Sequence, residues 1–129
     1  MKKILRNKDE GNFLERYAKS FGHAISGIIY ALLNEHNMII ILLATIVTVL
    51  AGFYYDISTN EWLFCILIIG MVTGSEMINT AIEAVVDLET MKIHPLAKVA
   101  KDTASSATLV FSVTALIGAI IIFLPKIIS

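Results

Sequence analysis

The sequence predicts an all-α membrane protein: an N-terminal amphipathic surface helix followed by three transmembrane helices. Two observations carry this. Hydrophobic side chains make up 57% of the 129 residues and the mean hydropathy is +0.77, beyond the range of ordinary soluble domains. Uncharged apolar runs long enough to cross a bilayer also recur, separated by short polar stretches.

The elements follow in chain order. Residues 12 to 34 mix polar and apolar positions, with Phe13, Tyr17, Phe21, Ala24 and Ile28 recurring at three and four, the pattern of a helix lying on a membrane surface. The run from Met38 to Tyr55 holds 18 residues without a charge, about 27 Å of helix, and is the first span. A second begins at Trp62, is uncharged through Ser75 and stays helical in character to about Asp87. The third runs from about Thr103 to Leu124, with Pro125 and Lys126 marking its end. Residues 1–129 therefore read as one domain, without internal repeats or a linker.

Charge sets orientation and excludes partners. Lys2, Lys3, Arg6, Lys8, Arg16 and Lys19 precede the first span, the 56–61 loop has no lysine or arginine, and the 88–102 loop has Lys92, Lys98 and Lys101. The positive-inside rule places the N-terminus and the second loop in the cytoplasm, with Phe53, Tyr54, Tyr55 and Trp62 belting the outer interface. The acidic residues after Lys8 argue against a cleaved signal peptide. A net charge of −1, with no basic stripe, excludes nucleic acid as a partner. The lone Cys65 forms no disulfide within the chain. The three histidines lack zinc-ligand spacing, and no phosphate-binding glycine loop is present.

The chemistry gathers in "GSEMINTAIEAVVDLE", residues 74–89. Glu76, Asn79, Thr80, Glu83 and Asp87 sit at offsets 0, 3, 4, 7 and 11, one polar stripe on a helix. Glu76 lies about 21 Å down from Trp62, inside the inner leaflet, and Glu83 about 10 Å further towards the headgroups. A carboxyl group at the depth of Glu76 must pair, coordinate an ion or stay protonated, and such groups mark relays or catalytic sites. For Asp87 and Glu89 a solvated helix end is an equal alternative. On the same side of the membrane stand Arg16, Lys19, Glu35, His94, Lys98, Lys101 and Asp102. Carboxylates for a hard cation beside cations for an anion are the inventory of magnesium-assisted phosphoryl transfer. Singly, Asp102 reads as the cap of the third span and Lys98 as a membrane anchor. A cation-conducting oligomer lined by Glu76 and Asn79 fits the stripe alone but not the surrounding charges. A structural adaptor leaves Glu76 without purpose.

Two motifs, E-x-x-N-T-A-I-E-A-V-V-D from Glu76 and A-K-D-x-A-S-S-A from Ala100, resemble the signatures of the prokaryotic diacylglycerol kinase family, small trimeric lipid kinases of the bacterial cytoplasmic membrane. The likeness covers Arg16 to about Phe111. The segment His94 to Asp102 is more similar to the Gram-positive branch, which phosphorylates undecaprenol, than to the branch acting on diacylglycerol. The resemblance implies ATP as donor, Mg2+ as cofactor, a lipid alcohol as acceptor, and an active site at the cytoplasmic face shared between the chains of a homotrimer. It implies that Glu76 is the catalytic base, with Glu76 and Ser105 at the lipid. Glu35 and Glu83 hold the metal and the nucleotide. Arg16, His23, Lys92, Ile93, His94, Lys101 and Asp102 complete the nucleotide site, with Asn79 and Asp87 in support. The sequence departs from the family at His23, where the diacylglycerol branch has tyrosine, and after Glu35, where "HNMIII" lacks a common arginine.

Overall fold

A computed structural model describes residues 11–129 as four α-helices. Lys2, Lys3, Arg6 and Lys8, which supply much of the orientation signal, lie outside the described residues. The chain divides into two compact units, Asn34 closing the first and Glu35 opening the second.

The first unit is helix α1, Phe13–Asn34. Asn12 starts it: its Oδ1 accepts the amide of Glu15 at 2.9 Å, the usual way a helix satisfies an orphan N–H of its first turn. Phe13 and Tyr17 stack one turn apart, ring centroids 5.2 Å apart.

The second unit holds α2 (His36–Tyr54), α3 (Thr59–Glu89) and α4 (Pro95–Ile127). All three are long and apolar enough to cross a membrane. Their lengths are unequal: α2, at 19 residues, spans about 28 Å, whereas α3 and α4, at 31 and 33, reach about 46 and 50 Å. A hydrocarbon core of about 30 Å covers only part of the longer pair. Their polar excess lies at one end, where Glu83 to Glu89 of α3 meets Pro95 to Asp102 of α4.

Several boundaries differ from the sequence reading. The first span starts at His36 rather than Met38, because Glu35 is the extended residue (φ −111°, ψ 117°) that breaks the chain from α1; it does not close the surface helix. The second starts at Thr59, where Ser58 and Glu61 form a reciprocal capping box, Ser58 Oγ accepting Glu61 N at 3.2 Å and Glu61 Oε2 accepting Ser58 N at 2.8 Å. The third starts eight residues earlier than expected, at Pro95, with His94 as its cap: Nδ1 accepts Leu96 N at 3.1 Å. Asp102 is therefore not a cap but a second-turn residue, ion-paired with Lys98. Hydropathy missed these two turns because they are charged, although proline at the first helical position and the i, i+4 pair favour helix there. At the far end Pro125 sits inside α4 and does not stop it.

The α2–α3 corner is a Schellman turn. Ile57 N donates to Gly52 O at 3.1 Å and Asp56 N to Phe53 O at 3.3 Å, with Asp56 in the left-handed region at φ 49°, which aspartate tolerates better than most side chains. Beneath it Ile57, Cys65, Ile122 and Phe123 form the apolar core, covered by Trp62, Tyr55 and Phe64. Of the aromatic residues expected at the outer interface, Tyr55 and Trp62 pack against this core while Phe53 and Tyr54 stay exposed. Two glycines permit the approach: a Cβ on Gly52 would lie 2.5 Å from the Trp62 ring, and one on Gly118 2.2 Å from the Phe64 ring.

Helices α3 and α4 pack along their lengths, and α2 joins α3 more lightly. Ion pairs at both ends fix the antiparallel register: Glu61 with Lys126 at 2.8 Å and Asp87 with Lys101.

Candidate active site

Glu76 is the most deeply enclosed large side chain of the described residues, 1% exposed. Its place on α3 follows from the polar stripe: Glu76 and Asn79 turn inward, both buried, and Glu83 lies one further turn along. Asn37, at the start of α2, donates from Nδ2 to Glu76 Oε1 at 3.4 Å, and Asn79 Nδ2 donates to Glu83 Oε1 at 3.4 Å. Thr80 Oγ1 donates to the backbone oxygen of Glu76 at 3.0 Å, stiffening that turn.

Asn37, Glu76 and Asn79 line a cleft of about 260 Å³, bounded also by Ile40 and Ile41 of α2 and by Ser105, Thr108, Leu109 and Ser112 of α4. Among the described residues three buried side-chain polar atoms lack any partner: Glu76 Oε2, Asn79 Oδ1 and Thr108 Oγ1. All three residues line this cleft. Since an unsatisfied buried group costs about 1–3 kcal/mol, orphans gathered in one cavity signal a site built for a polar ligand. Beyond it an apolar cavity of about 330 Å³ runs between the three helices, sharing Ile40, Ile41 and Ser112 with the cleft and ending at Phe64 and Phe123.

The remaining candidates fall into three groups. Lys101 and Asp102 stand on the first turns of α4, Lys101 paired with Asp87 across to α3 and Asp102 with Lys98. Lys92, Ile93 and His94 form the exposed α3–α4 loop, where Lys92 N donates to Thr90 Oγ1 at 3.1 Å. Arg16 and His23 belong to α1, seven residues and nearly two turns apart, so they share one line of that helix. Glu35 sits at the extended junction before α2, with no side-chain capping bond.

Among the described residues no three His, Cys, Asp or Glu side chains cluster as a metal cage. A magnesium ion carried in with a nucleotide needs no cage, because it takes one or two carboxylates and completes its shell with phosphate oxygens and water. Half-buried Glu83, whose Oε1 accepts Asn79 Nδ2, fits that requirement with its carboxylate oxygens.

Sequence reasoning missed Asn37, Thr108 and Ser112. Asn37 opens the span, one of its few polar residues, and nothing local shows that it meets Glu76. Positions 105, 108 and 112 form a helical polar stripe that periodicity would have revealed; Thr108 reads instead as a small residue easing helix contact.

A buried carboxylate at a polar cleft, continuous with an apolar cavity between membrane-length helices, suits the polar end of a membrane lipid. The family model for prokaryotic diacylglycerol kinase matches residues 22–123. The chain is 44% identical to the undecaprenol kinase of Bacillus subtilis (strain 168), over 93% of this chain and 98% of that protein. It is 32% identical to a diacylglycerol kinase of Pseudomonas aeruginosa, over 75% of this chain and 79% of that one. It is likewise 32% identical to one of Synechocystis, over 85% of this chain and 63% of that protein. The chain belongs to the prokaryotic diacylglycerol kinase family and is a lipid kinase.

Proposed function

We propose that the enzyme transfers the γ-phosphoryl group of ATP to undecaprenol, giving undecaprenyl phosphate, at the cytoplasmic face of a bacterial inner membrane. The observation that carries the reading is the buried, half-unpartnered carboxylate of Glu76 at the junction of a polar cleft and an apolar cavity. Phosphoryl transfer asks for positioning and charge neutralisation more than covalent chemistry. Glu76 takes the proton of the lipid hydroxyl, its Oε1 held by Asn37 so that Oε2 faces the alcohol. Glu83 and Glu35 hold the magnesium of the nucleotide, and when bound that ion neutralises charge on the β- and γ-phosphates. Lys101 and Asp102 brace the nucleotide, and the 92–94 loop borders its base. Asp87 supports Lys101 through their ion pair. The length of α3 and α4 beyond the hydrocarbon core supports a nucleotide site outside the bilayer beside a base inside it.

The assembly is a homotrimer whose chains share each site. In support, Gly70 and Gly74, four apart on α3, have open space over both Cα positions, and small residues at that spacing let membrane helices approach closely. The extensive exposed apolar surface of α2 and α4 supports burial against lipid or further chains.

Undecaprenol is favoured over diacylglycerol by the undecaprenol kinase likeness along nearly the whole chain and by the apolar cavity that continues from the cleft. The test is the ratio of kcat/KM for the two lipids in one micelle at equal surface concentration. We expect undecaprenol to lead. A preference for diacylglycerol of tenfold or more, about 1.4 kcal/mol in the transition state, would assign the other lipid.

A further inference from the structure

One wall of the cleft carries hydroxyl groups. Ser105, Thr108 and Ser112 of α4 line it at spacings of three and four, across from Glu76 and Asn79 of α3. Ser105 satisfies its own helix, Oγ donating to Asp102 O at 3.1 Å. Thr108 does not: its Oγ1 is buried and bonds to nothing. The hydroxyls of Thr45, Thr48, Thr73, Ser75, Thr80 and Thr114 each donate to a carbonyl oxygen one turn back, at 2.7 to 3.0 Å. That backbone bond is the ordinary resting place of a helical hydroxyl, and Thr108 forgoes it inside a cleft where Glu76 Oε2 is also unpartnered. A carboxylate only accepts, while a hydroxyl also donates. A ligand group that donates once and accepts once satisfies both, and an alcohol is such a group.

We propose that Thr108 is an acceptor-binding residue: its hydroxyl donates to the oxygen of the lipid alcohol whose own proton points at Glu76 Oε2. The inference rests on the lipid kinase reading with Glu76 as base. The alcohol oxygen carries one hydrogen and two lone pairs. Its hydrogen goes to Glu76, one lone pair accepts from Thr108, and the other attacks the γ-phosphorus of ATP. As that O–P bond forms, the bond from the γ-phosphorus to the β,γ-bridging oxygen breaks, ADP leaves with the electron pair, and the alcohol proton ends on Glu76. Held by Glu76 alone, the alcohol can still pivot about the axis of that one hydrogen bond. A second bond from Thr108 removes the pivot and so aims the attacking lone pair.

The test uses the full-length protein in mixed micelles with a short polyprenol and Mg-ATP. Thr108→Val keeps the shape of the side chain and removes the hydroxyl. Its kcat/KM for the polyprenol should fall about tenfold, the order expected for one lost hydrogen bond, with the KM for ATP unchanged, and Thr108→Ser should recover most of the loss. A Thr108→Val enzyme within about twofold of the parent, or Ser and Val variants impaired alike, would overturn the inference. Protection of each variant by Mg-ATP against thermal unfolding reports that it is folded. Glu76→Gln, assayed alongside, separates the two levels. Activity in Glu76→Gln would remove the base reading itself, whereas an inactive Glu76→Gln beside a normal Thr108→Val would remove only the role of Thr108.

Discussion

Replacing Glu76 by glutamine tests the site most directly, because the substitution changes proton affinity and almost nothing else. The side chain is 1% exposed, so a substitution of different volume would disturb packing, and glutamine matches glutamate closely. Asn37 Nδ2 reaches Glu76 Oε1 at 3.4 Å, and the amide oxygen of glutamine can accept the same contact. A general base contributes about 10²- to 10⁴-fold to a rate, so turnover should drop by that factor, about 2.7 to 5.4 kcal/mol in the barrier. Stability should behave otherwise. Oε2 is buried without a hydrogen-bond partner, so its replacement breaks no bond within the protein and should leave the thermal midpoint close to that of the parent. The assay is ADP release in lipid micelles, with the unfolding midpoint and the KM for Mg-ATP measured on the same preparation. Lost turnover, retained nucleotide binding and undiminished stability together support the base. Turnover within tenfold of the parent would refute it, and a collapsed midpoint would make Glu76 a structural residue.

Other outcomes follow from packing, charge and topology. Gly118→Ala should lower the unfolding midpoint: its Cβ would lie 2.2 Å from the Phe64 ring, and overpacking of about 1–3 kcal/mol exceeds the gain in helix propensity of at most about 1 kcal/mol; a rise would show that Phe64 yields freely. Lys101→Met should cost little stability, because its pair with Asp87 is more than a third exposed and such pairs are worth under about 1 kcal/mol. It should nonetheless raise the KM for ATP, and an unchanged KM would take Lys101 out of the nucleotide site. A cysteine placed at Ser58, in the α2–α3 corner, should react with an impermeant reagent on intact cells while one at Thr90 stays unlabelled, and the reverse pattern would invert the orientation.

The polar stripe was legible in the sequence because one helix carries it. A helix repeats every 3.6 residues, so spacing alone puts Glu76, Asn79 and Glu83 on one face, and their burial or half-burial follows that face. Helix ends were less legible. Hydropathy marks where side chains leave hydrocarbon, whereas a helix stops where its backbone finds a cap. Pro95 therefore starts α4 well before the apolar stretch, and Pro125 passes without ending it. At Asp56 and Ile57 the turn is fixed by backbone bonds to Phe53 and Gly52.

The sequence by itself determined that three segments suit hydrocarbon, that one of them carries a carboxylate deep in an apolar run, and that a polar stripe leads from it towards one end. Those properties depend on composition and on the period of a single helix. Only the tertiary structure decided what faces that stripe. Asn37 lies 39 positions before Glu76, and Thr108 stands on a helix running the other way, so no local pattern relates either to the carboxylate. Their meeting depends on how closely α2, α3 and α4 approach, which Gly52 and Gly118 permit, and on the register that the Glu61–Lys126 and Asp87–Lys101 pairs hold. Hydrogen bonds act over about 3 Å, so a cleft with three unpartnered polar atoms exists only once helices distant in sequence are fixed at that range.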